Sequence, residues 1–233
     1  MTPVVHVHRI GKINYKESWD LQEKYLKEAV DIKIQNRQAN EQKKPLNHLI
    51  ICEHPNVYTL GKSGDEKNLL LNDKELESNE IDYYRINRGG DITYHGPGQL
   101  VVYPIFDLEQ FFTDIHKYMR YLEEAVIQTL LEYNIIGERI NGLTGVWVKH
   151  KNQEHRKICA MGVKCSRWVT MHGIGFNVNT NLSFFDNIVP CGIQNKKVTS
   201  IQEELGQEQD IAKSAEVIIY KLSQLFQFKI IEN

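Results

Sequence analysis

The sequence predicts an α/β (α+β) fold in which a mixed, largely antiparallel sheet is flanked by helices. Strand-like segments gather in blocks between a few long helical ones, without the regular alternation of a doubly wound parallel sheet. The 233 residues are 41% hydrophobic and 25% charged, a composition typical of soluble globular proteins. Such a chain can bury a sizeable core without disulfides. We therefore expect one domain over residues 1–233, with room for a small C-terminal helical subdomain over residues 206–233.

The first half of the chain alternates strand-like and helical patterns. Residues 4–10 alternate apolar and polar side chains, as a half-buried strand does. Apolar residues at helical spacing predict an amphipathic helix over residues 17–34, marked by Leu21, Tyr25, Ala29 and Ile32. The other predicted segments are a loop at 37–45, strands at 46–52 and 57–60 around a turn at 53–56, an irregular charged stretch at 61–80 and a strand at 83–87.

The second half contains the longest strand-like apolar run, at residues 100–106. A 3.6-residue period predicts a helix that begins at Asp114 as its N-cap and presents Ile115, Met119, Leu122, Val126 and Leu130. The same period predicts a helix that begins at Asp210 and presents Ile211, Ala215, Ile218, Leu222 and Leu225. Between these helices, residues 143–149 and 157–165 resemble a hairpin turned at 151–155, and residues 168–178 continue the sheet.

Charge, hydropathy and cysteine usage exclude several classes of protein. The net charge of -2 disfavours a nucleic-acid binder, which would carry a basic excess. No run approaches the roughly 18 apolar residues of a membrane span, and the N-terminus lacks a signal-peptide pattern. Four scattered cysteines predict reduced thiols and a cytoplasmic location. His6 and His8 share a strand face without further ligands, so no metal site is expected.

Three clusters hold the residues that can perform chemistry. The first, residues 88–99, contains four glycines that let the backbone approach a ligand, with Arg88, Tyr94 and His95 around them. It lacks the spacing of a phosphate-binding loop. An ordinary turn between two strands explains the same glycines, so both interpretations stay open.

The second cluster, residues 188–193, holds Cys191 between Pro190 and Gly192. A nucleophilic cysteine needs a cation or base that favours its thiolate, and the N–H of Gly192 can face an oxyanion. A lone cysteine is more often a small buried apolar residue. The sequence alone does not place a base beside it.

The third cluster comprises residues 155–162 and 170–175. Strand alternation places Lys157, Cys159 and Met161 on one face, where desolvation would lower the pKa of the lysine and make it a base. The alternative for Lys157 is an exposed position at the end of a hairpin, and the alternative for His172 is a structural histidine.

Taken together, the clusters resemble one enzyme family, the lipoyl(octanoyl) transferases. Residues 53–61, 88–99, 157–162, 170–173 and 190–192 match its signatures in order, over a span of about residues 49–205. The resemblance implies a biotin/lipoate protein ligase-like fold with an acyl tunnel. It also implies transfer of an octanoyl group from acyl carrier protein to a lysine of lipoate-dependent enzymes.

The resemblance also assigns the site residues. Cys191 would be the acyl-thioester nucleophile and Lys157, 34 residues earlier, its activating partner. Gly175 and Lys164 depart from the residues commoner in the family, alanine and arginine. The implied substrate-binding residues are Arg88, Gly89, Gly90, Asp91, Ile92, Thr93, Tyr94, His95, Ala160, Met161, Gly162, Gly173, Ile174 and Gly175.

The implied reaction needs no ATP and no metal, because a thioester donor already carries an activated acyl group. Octanoyl-acyl carrier protein would be the donor. The acceptors would be lipoyl domains of 2-oxoacid dehydrogenase acyltransferase subunits and the glycine cleavage H protein. We expect a monomer that binds neither nucleic acid nor membrane. The alternatives are an ATP-dependent lipoate or biotin ligase, a non-enzymatic acyl-binding protein and a cysteine thioesterase.

Overall fold

A computed structural model describes residues 2–150, 154–189 and 197–232. The described residues form eleven strands, five α-helices and a few short 3-10 turns. The strands are β1 (Val4–Lys12), β2 (Asn47–Glu53), β3 (Val57–Leu60), β4 (Asp82–Arg85), β5 (Ile92–His95), β6 (Gln99–Ile105), β7 (Gly137–Ile140), β8 (Leu143–Lys149), β9 (His155–Ser166), β10 (Val169–Asn177) and β11 (Lys229–Glu232). The helices are α1 (Tyr15–Ala39), α2 (Asp73–Ser78), α3 (Ile115–Leu131), α4 (Ile201–Leu205) and α5 (Ile211–Phe226).

Eight strands form one large sheet in the order β11-β1-β2-β6-β10-β9-β8-β7. Strand β1 is parallel to both of its neighbours, whereas the pairs from β2 to β7 are antiparallel. The smaller sheet has the order β4-β3-β5, with β3 parallel to β4 and antiparallel to β5. The predicted mixed, largely antiparallel sheet is therefore confirmed.

Helices cover both faces of the large sheet because successive residues of a strand point to opposite sides. Leu100 and Val102 pack in the core cluster that contains α3 and α5. Val101 and Tyr103, their neighbours in β6, pack in the cluster that contains Leu26 of α1. The alternation of strand β6 thus separates two apolar layers, one on each face.

The predicted starts of α3 and α5 are confirmed by their caps. The carboxylate of Asp114 accepts from the backbone N–H of Lys117 at the start of α3. That of Asp210 accepts from the N–H groups of Ala212 and Lys213 at the start of α5. Each cap satisfies backbone donors that lack a partner within the helix.

Helices α1 and α2 are among the elements that differ from the sequence-based expectation. Helix α1 continues to Ala39, past the predicted end at residue 34, and stops where Asn40 adopts a left-handed φ of 52°. Helix α2 lies in the stretch predicted to be irregular. A capping box between Asn72 and Glu75 stabilises it, and it buries only Leu76, so it has no apolar period to detect.

The C-terminal segment packs on the main body of the protein. Ala215, Ile218 and Leu222 of α5 belong to the same core cluster as the large sheet, and β11 pairs with β1 at the edge of that sheet. In the described part of the chain, no helix combines the length and the apolar composition needed to cross a membrane.

Candidate active site

A cavity of about 590 Å³ opens between the β9–β10 floor, the glycine-rich loop that precedes β5, and the start of α3. It is lined by Lys157 and by every predicted substrate-binding residue except Tyr94. The ring of Tyr94 instead stacks on Phe184 in a separate core, and its hydroxyl donates to the side-chain oxygen of Asn56. Residues far apart in the sequence thus meet around one space.

The floor of the cavity consists of small residues on two paired strands. Ala160 lies opposite Gly175, and Gly162 lies opposite Gly173. A Cβ atom on Gly162 would lie 2.7 Å from the carbonyl oxygen of Gly89. The glycine therefore lets the loop approach the floor closely, which a larger residue would prevent.

Arg88 fastens this loop to the rest of the protein. Its guanidinium is buried and donates to the backbone and hydroxyl oxygens of Thr59 and to the carbonyl of Gly89. The N–H of Gly89 donates in turn to the carbonyl of Val163 in β9 at 2.9 Å. The described contacts of Arg88 thus shape one wall of the cavity.

Lys157 lies on β9 beside a bulge. Trp147 pairs with Lys157, and Val146 pairs with Cys159, so Ile158 is an extra residue on this strand. The predicted shared face of Lys157 and Cys159 is wrong, because the bulge turns them to opposite sides. Cys159 is buried in the main core, whereas the Lys157 amine lies 4.7 Å from the centroid of the Trp147 ring.

The backbone of Lys157 is held by a short segment that follows the second cluster. Its N–H donates to the carbonyl of Lys197, and its carbonyl accepts from the N–H of Thr199, both at 2.9 Å. Val198 forms a parallel bridge with it. Residues 197–199 therefore run beside β9 at the cavity.

Cys191 and Gly192 lie outside the described residues. The described chain stops at Val189, whose N–H donates to the carbonyl of Asn68. The side-chain amide of Asn68 donates to the carboxylate of Asp91 in the cavity wall. The chain resumes at Lys197, which also lines the cavity. The described neighbours on both sides of Cys191 are thus attached to the same site.

Neutral histidines line the cavity near β10. Burial, with a contribution from His54, lowers the pKa of His95 to about 3. Burial, with contributions from Arg88 and Lys164, lowers the pKa of His172 to about 3. His172 is 1% exposed, has a φ of 61°, and neither of its ring nitrogens hydrogen-bonds to a described residue.

A hydrogen-bonded pair orients Tyr103 at the same end. The Nδ1 of His54 lies 2.8 Å from the carbonyl of Ile13, which can only accept, so this nitrogen carries the proton. Its Nε2 then accepts from the hydroxyl of Tyr103 at 2.9 Å. Burial lowers the pKa of His54 to about 4. This end of the cavity is therefore polar without being charged by its histidines.

Several lining residues were not predicted from the sequence. Trp147 could have been predicted from the sequence, because the predicted hairpin already paired its strand with that of Lys157. Ile115, Met119 and Phe185 gave no such signal, because their places in the wall depend on contacts between distant segments. In the described ranges, no group of three or more His, Cys, Asp or Glu side chains is arranged to hold a metal ion.

Comparison with known proteins connects this geometry to a family. Residues 14–223 match the lipoyl protein ligase A/B catalytic domain. A protein named octanoyltransferase from Christiangramia forsetii is 55% identical over 228 residues, 97% of each chain. Another, from Flavobacterium psychrophilum, is 54% identical and covers 99% of this chain and 100% of that one.

Among solved structures, the fold is similar to one determined for a bi-partite lipoate protein ligase and its E2 lipoyl domain from Thermoplasma acidophilum, with a TM-score of 0.69 at 14% identity. That match covers 100% of this chain and 87% of the other. The shared fold confirms the ligase-like architecture implied by the resemblance. The chain therefore belongs to the lipoyl protein ligase A/B catalytic-domain family, and within it to the octanoyltransferases, which are acyltransferases.

Proposed function

We propose that this protein transfers an octanoyl group from octanoyl-acyl carrier protein to a specific lysine of lipoyl domains, through a thioester on Cys191. The acceptors are lipoyl domains of 2-oxoacid dehydrogenase acyltransferase subunits and the glycine cleavage H protein. This transfer is the first step of endogenous protein lipoylation. We propose that it takes place in the cytoplasm and that the enzyme acts as a monomer, without ATP or a metal. The observation that carries the proposal is the cavity that joins Lys157 to a floor of small residues.

The walls of the cavity suit an acyl chain. Ile115, Met119, Trp147 and Phe185 supply apolar surface, and the glycines of the floor leave room beside them. Burying the six methylenes of an octanoyl group is worth about 5 kcal/mol at roughly 0.8 kcal/mol each. His95 and His172 stay neutral, because burial lowers the pKa values of both to about 3.

Among the described cysteines, none fits the role of nucleophile. Burial raises the pKa of Cys52 to about 12 and raises that of Cys159 well above its ordinary value. Cys165 is exposed and lies eight residues beyond Lys157 on β9, about 26 Å away in an extended strand. This supports Cys191, whose described neighbours are attached to the cavity.

The first step exchanges one thioester for another. The thiolate of Cys191 attacks the donor carbonyl, the new carbon–sulfur bond forms, and the carrier sulfur leaves as a thiolate as the old bond breaks. Because the two thioesters have similar energies, the step needs no ATP. Lys157 assists by pairing with the thiolate or by accepting its proton, and backbone N–H groups such as that of Gly192 stabilise the oxyanion.

The second step forms an amide. The acceptor lysine has an ordinary pKa of about 10.4 and must lose a proton before it attacks the acyl-enzyme. Lys157 accepts that proton as general base, and the sulfur of Cys191 leaves as a thiol with the proton that the nitrogen loses when the amide forms. The Thermoplasma acidophilum structure that is similar in fold is described as that of a lipoate protein ligase and its E2 lipoyl domain. This supports a lipoyl domain as the acceptor here.

Intact-protein mass spectrometry tests the proposal. Mixing the enzyme with octanoyl-acyl carrier protein, without ATP or acceptor, should add one octanoyl group, and a lipoyl domain should then remove it. Cys191→Ala should gain nothing, whereas the matched control Cys165→Ala should behave as the wild type. An adduct on Cys191→Ala would contradict the covalent route.

The same assay separates the alternatives. Octanoylation of the lipoyl domain only with free octanoate and ATP would identify a ligase. Release of free octanoate without transfer would identify a thioesterase. Binding of the donor with no covalent change under either condition would identify an acyl-binding protein.

A further inference from the structure

A buried chain of side-chain amides connects the cavity to the segment that holds Lys157. Asn177, the last residue of β10, is 3% exposed. Its Nδ2 donates to the carbonyl of Thr199 at 3.0 Å, and its Oδ1 accepts from the Nε2 of Gln99 at 2.9 Å. The other end of Gln99 contacts His95, which lines the cavity, through Oε1 and Nδ1 at 2.6 Å.

The backbone partners fix the direction of every hydrogen bond in this chain. The carbonyls of Thr199 and Tyr94 can only accept, so the amide nitrogens of Asn177 and Gln99 are the donors. The Oε1 of Gln99 is then an acceptor, so the Nδ1 of His95 carries the proton. No amide in the chain can be reversed without placing two acceptors against each other.

The chain ends at the backbone of Lys157. The carbonyl of Thr199 is held by Asn177, and the N–H of Thr199 donates to the carbonyl of Lys157. On the opposite side, the hydroxyl of Thr199 donates to Glu204. Thr199 is therefore held between the end of β10 and α4. The backbone of Lys157 is hydrogen-bonded to Thr199 on one side and to Lys197 on the other.

We propose that Asn177 is a positioning residue for acyl transfer. It does not line the cavity. It holds residues 197–199 against Lys157 and in register with the cavity floor, and these residues are also the described continuation of the chain after Cys191. The inference rests on the proposed function, because it assigns Asn177 the task of keeping the Lys157–Cys191 partnership in place relative to the bound acyl chain.

The chain offers a matched control two residues further on. Asn179 makes the same kind of clamp, since its Nδ2 donates to the carbonyl of Gln209 at 2.7 Å and its Oδ1 accepts from the Gln209 N–H at 2.9 Å. That clamp fixes the turn before α5 and contacts neither Lys157 nor the cavity lining. Asn177→Asp and Asn179→Asp therefore make the same chemical change in a functional and in a remote clamp.

Acylation kinetics with octanoyl-acyl carrier protein, together with the pH profile of Cys191 alkylation by iodoacetamide, test the proposal. Asn177→Asp should lower kcat for acyl-enzyme formation about 30-fold, since displacement of about 1 Å in an active site costs up to 100-fold. The KM for the donor should change less than about twofold, because the cavity lining is retained. The alkylation profile should move to higher pH. Asn179→Asp should lower the melting temperature while leaving kcat and the alkylation profile unchanged.

Asn177→Ser, paired with Asn179→Ser, separates loss of the clamp from the charge that aspartate adds. The serine pair should show the same contrast in kcat and alkylation. If Asn177→Ser lowers only the melting temperature, or if both positions lower kcat equally, the positioning role is wrong. The alkylation profile needs no octanoyl donor. Absence of wild-type acylation would therefore overturn the proposed function, while the alkylation contrast would still decide the role of Asn177.

Discussion

The amine of Lys157 lies 4.7 Å from the centroid of the Trp147 ring, while its backbone is hydrogen-bonded to Lys197 and Thr199. The face of an indole ring attracts a cation by about 0.5–2 kcal/mol, depending on how far the pair is desolvated. That contact favours the charged amine, which pairs with a thiolate, over the neutral amine, which accepts a proton. At the scale of the residue, this contact favours, within the proposed reaction, Lys157 as the counter-cation of the first step.

Lys157→Ala and Lys157→Arg distinguish the two roles. Lys157→Ala should lower acyl-enzyme formation at pH 7 about 100-fold and recover as the pH rises towards the ordinary thiol pKa of about 8.5, where thiolate forms unaided. Lys157→Arg keeps the positive charge but is too weak a proton acceptor to act as a base. It should therefore retain acylation and lose transfer to the lipoyl domain. Single-turnover rates from pH 6 to 9.5 measure both effects. An unchanged pH–rate profile in Lys157→Ala would exclude this lysine as the group that tunes the thiol.

At the scale of the element, strand β10 contains two glycines that should differ in how well they tolerate replacement by alanine. A Cβ on Gly173 would lie 2.4 Å from the carbonyl oxygen of Val102 and 2.7 Å from Pro104, in the backbone and ring of the neighbouring strand. A Cβ on Gly175 would lie 3.1 Å from the side-chain oxygen of Gln99 and 3.3 Å from the His95 ring. The first contact is with backbone and ring atoms of β6 at distances that force a shift, whereas the second asks the Gln99 and His95 side chains to give by only a few tenths of an ångström.

Gly173→Ala should therefore destabilise the protein by about 3 kcal/mol, in the upper range for overpacking a core. The melting temperature should fall by roughly 9 °C for a chain of this size. Gly175→Ala should change the free energy of unfolding by less than about 1 kcal/mol, because the lost flexibility of the unfolded chain offsets the tight contact. Thermal unfolding of the two variants measures the contrast. Equal losses of stability would show that the floor of the cavity is uniformly rigid.

The strength of sequence-based prediction also differs between elements. Long periodic segments such as α3 and α5 were predicted down to their Asp114 and Asp210 caps, because apolar period and capping residue are both local signals. The side of the strand on which Lys157 lies was not predicted correctly, because one extra residue at Ile158 reverses the alternation of the strand. The cap-stabilised α2 buries too little to leave a pattern. The resemblance named nearly all of the cavity wall that lies on the glycine loop, β9 and β10. It did not name the wall supplied by α3 and β8.

At the scale of the whole molecule, four buried histidines are neutral. Burial lowers the pKa values of His48 and His54 to about 4 and those of His95 and His172 to about 3. In the unfolded chain each would titrate near 6.5. The unfolded state therefore binds more protons than the folded state below pH 6.5. The stability due to these groups is complete above that pH and is lost as the pH falls through 6 towards 4.

Between pH 7.5 and 5.5 each of these histidines should cost about 1.4 kcal/mol, or about 5.5 kcal/mol for the four. That loss is a large fraction of the 5–15 kcal/mol typical of a folded domain. Urea unfolding at several pH values should show a midpoint that falls steeply below pH 6.5. His172→Gln removes one of the four titrations and should flatten the slope by about a quarter. A midpoint that is independent of pH over this interval would contradict the account.

The left-handed backbone of His172, with a φ of 61°, sets a second condition on that position besides the polarity of its ring. Non-glycine residues pay about 1–2 kcal/mol to adopt this conformation, with asparagine, aspartate and histidine the most tolerant and β-branched residues the least. Saturation mutagenesis should therefore rank asparagine and glycine above valine and isoleucine in folded yield, although isoleucine is the more apolar. The backbone thus narrows the set of side chains that evolution can place there before chemistry selects among them.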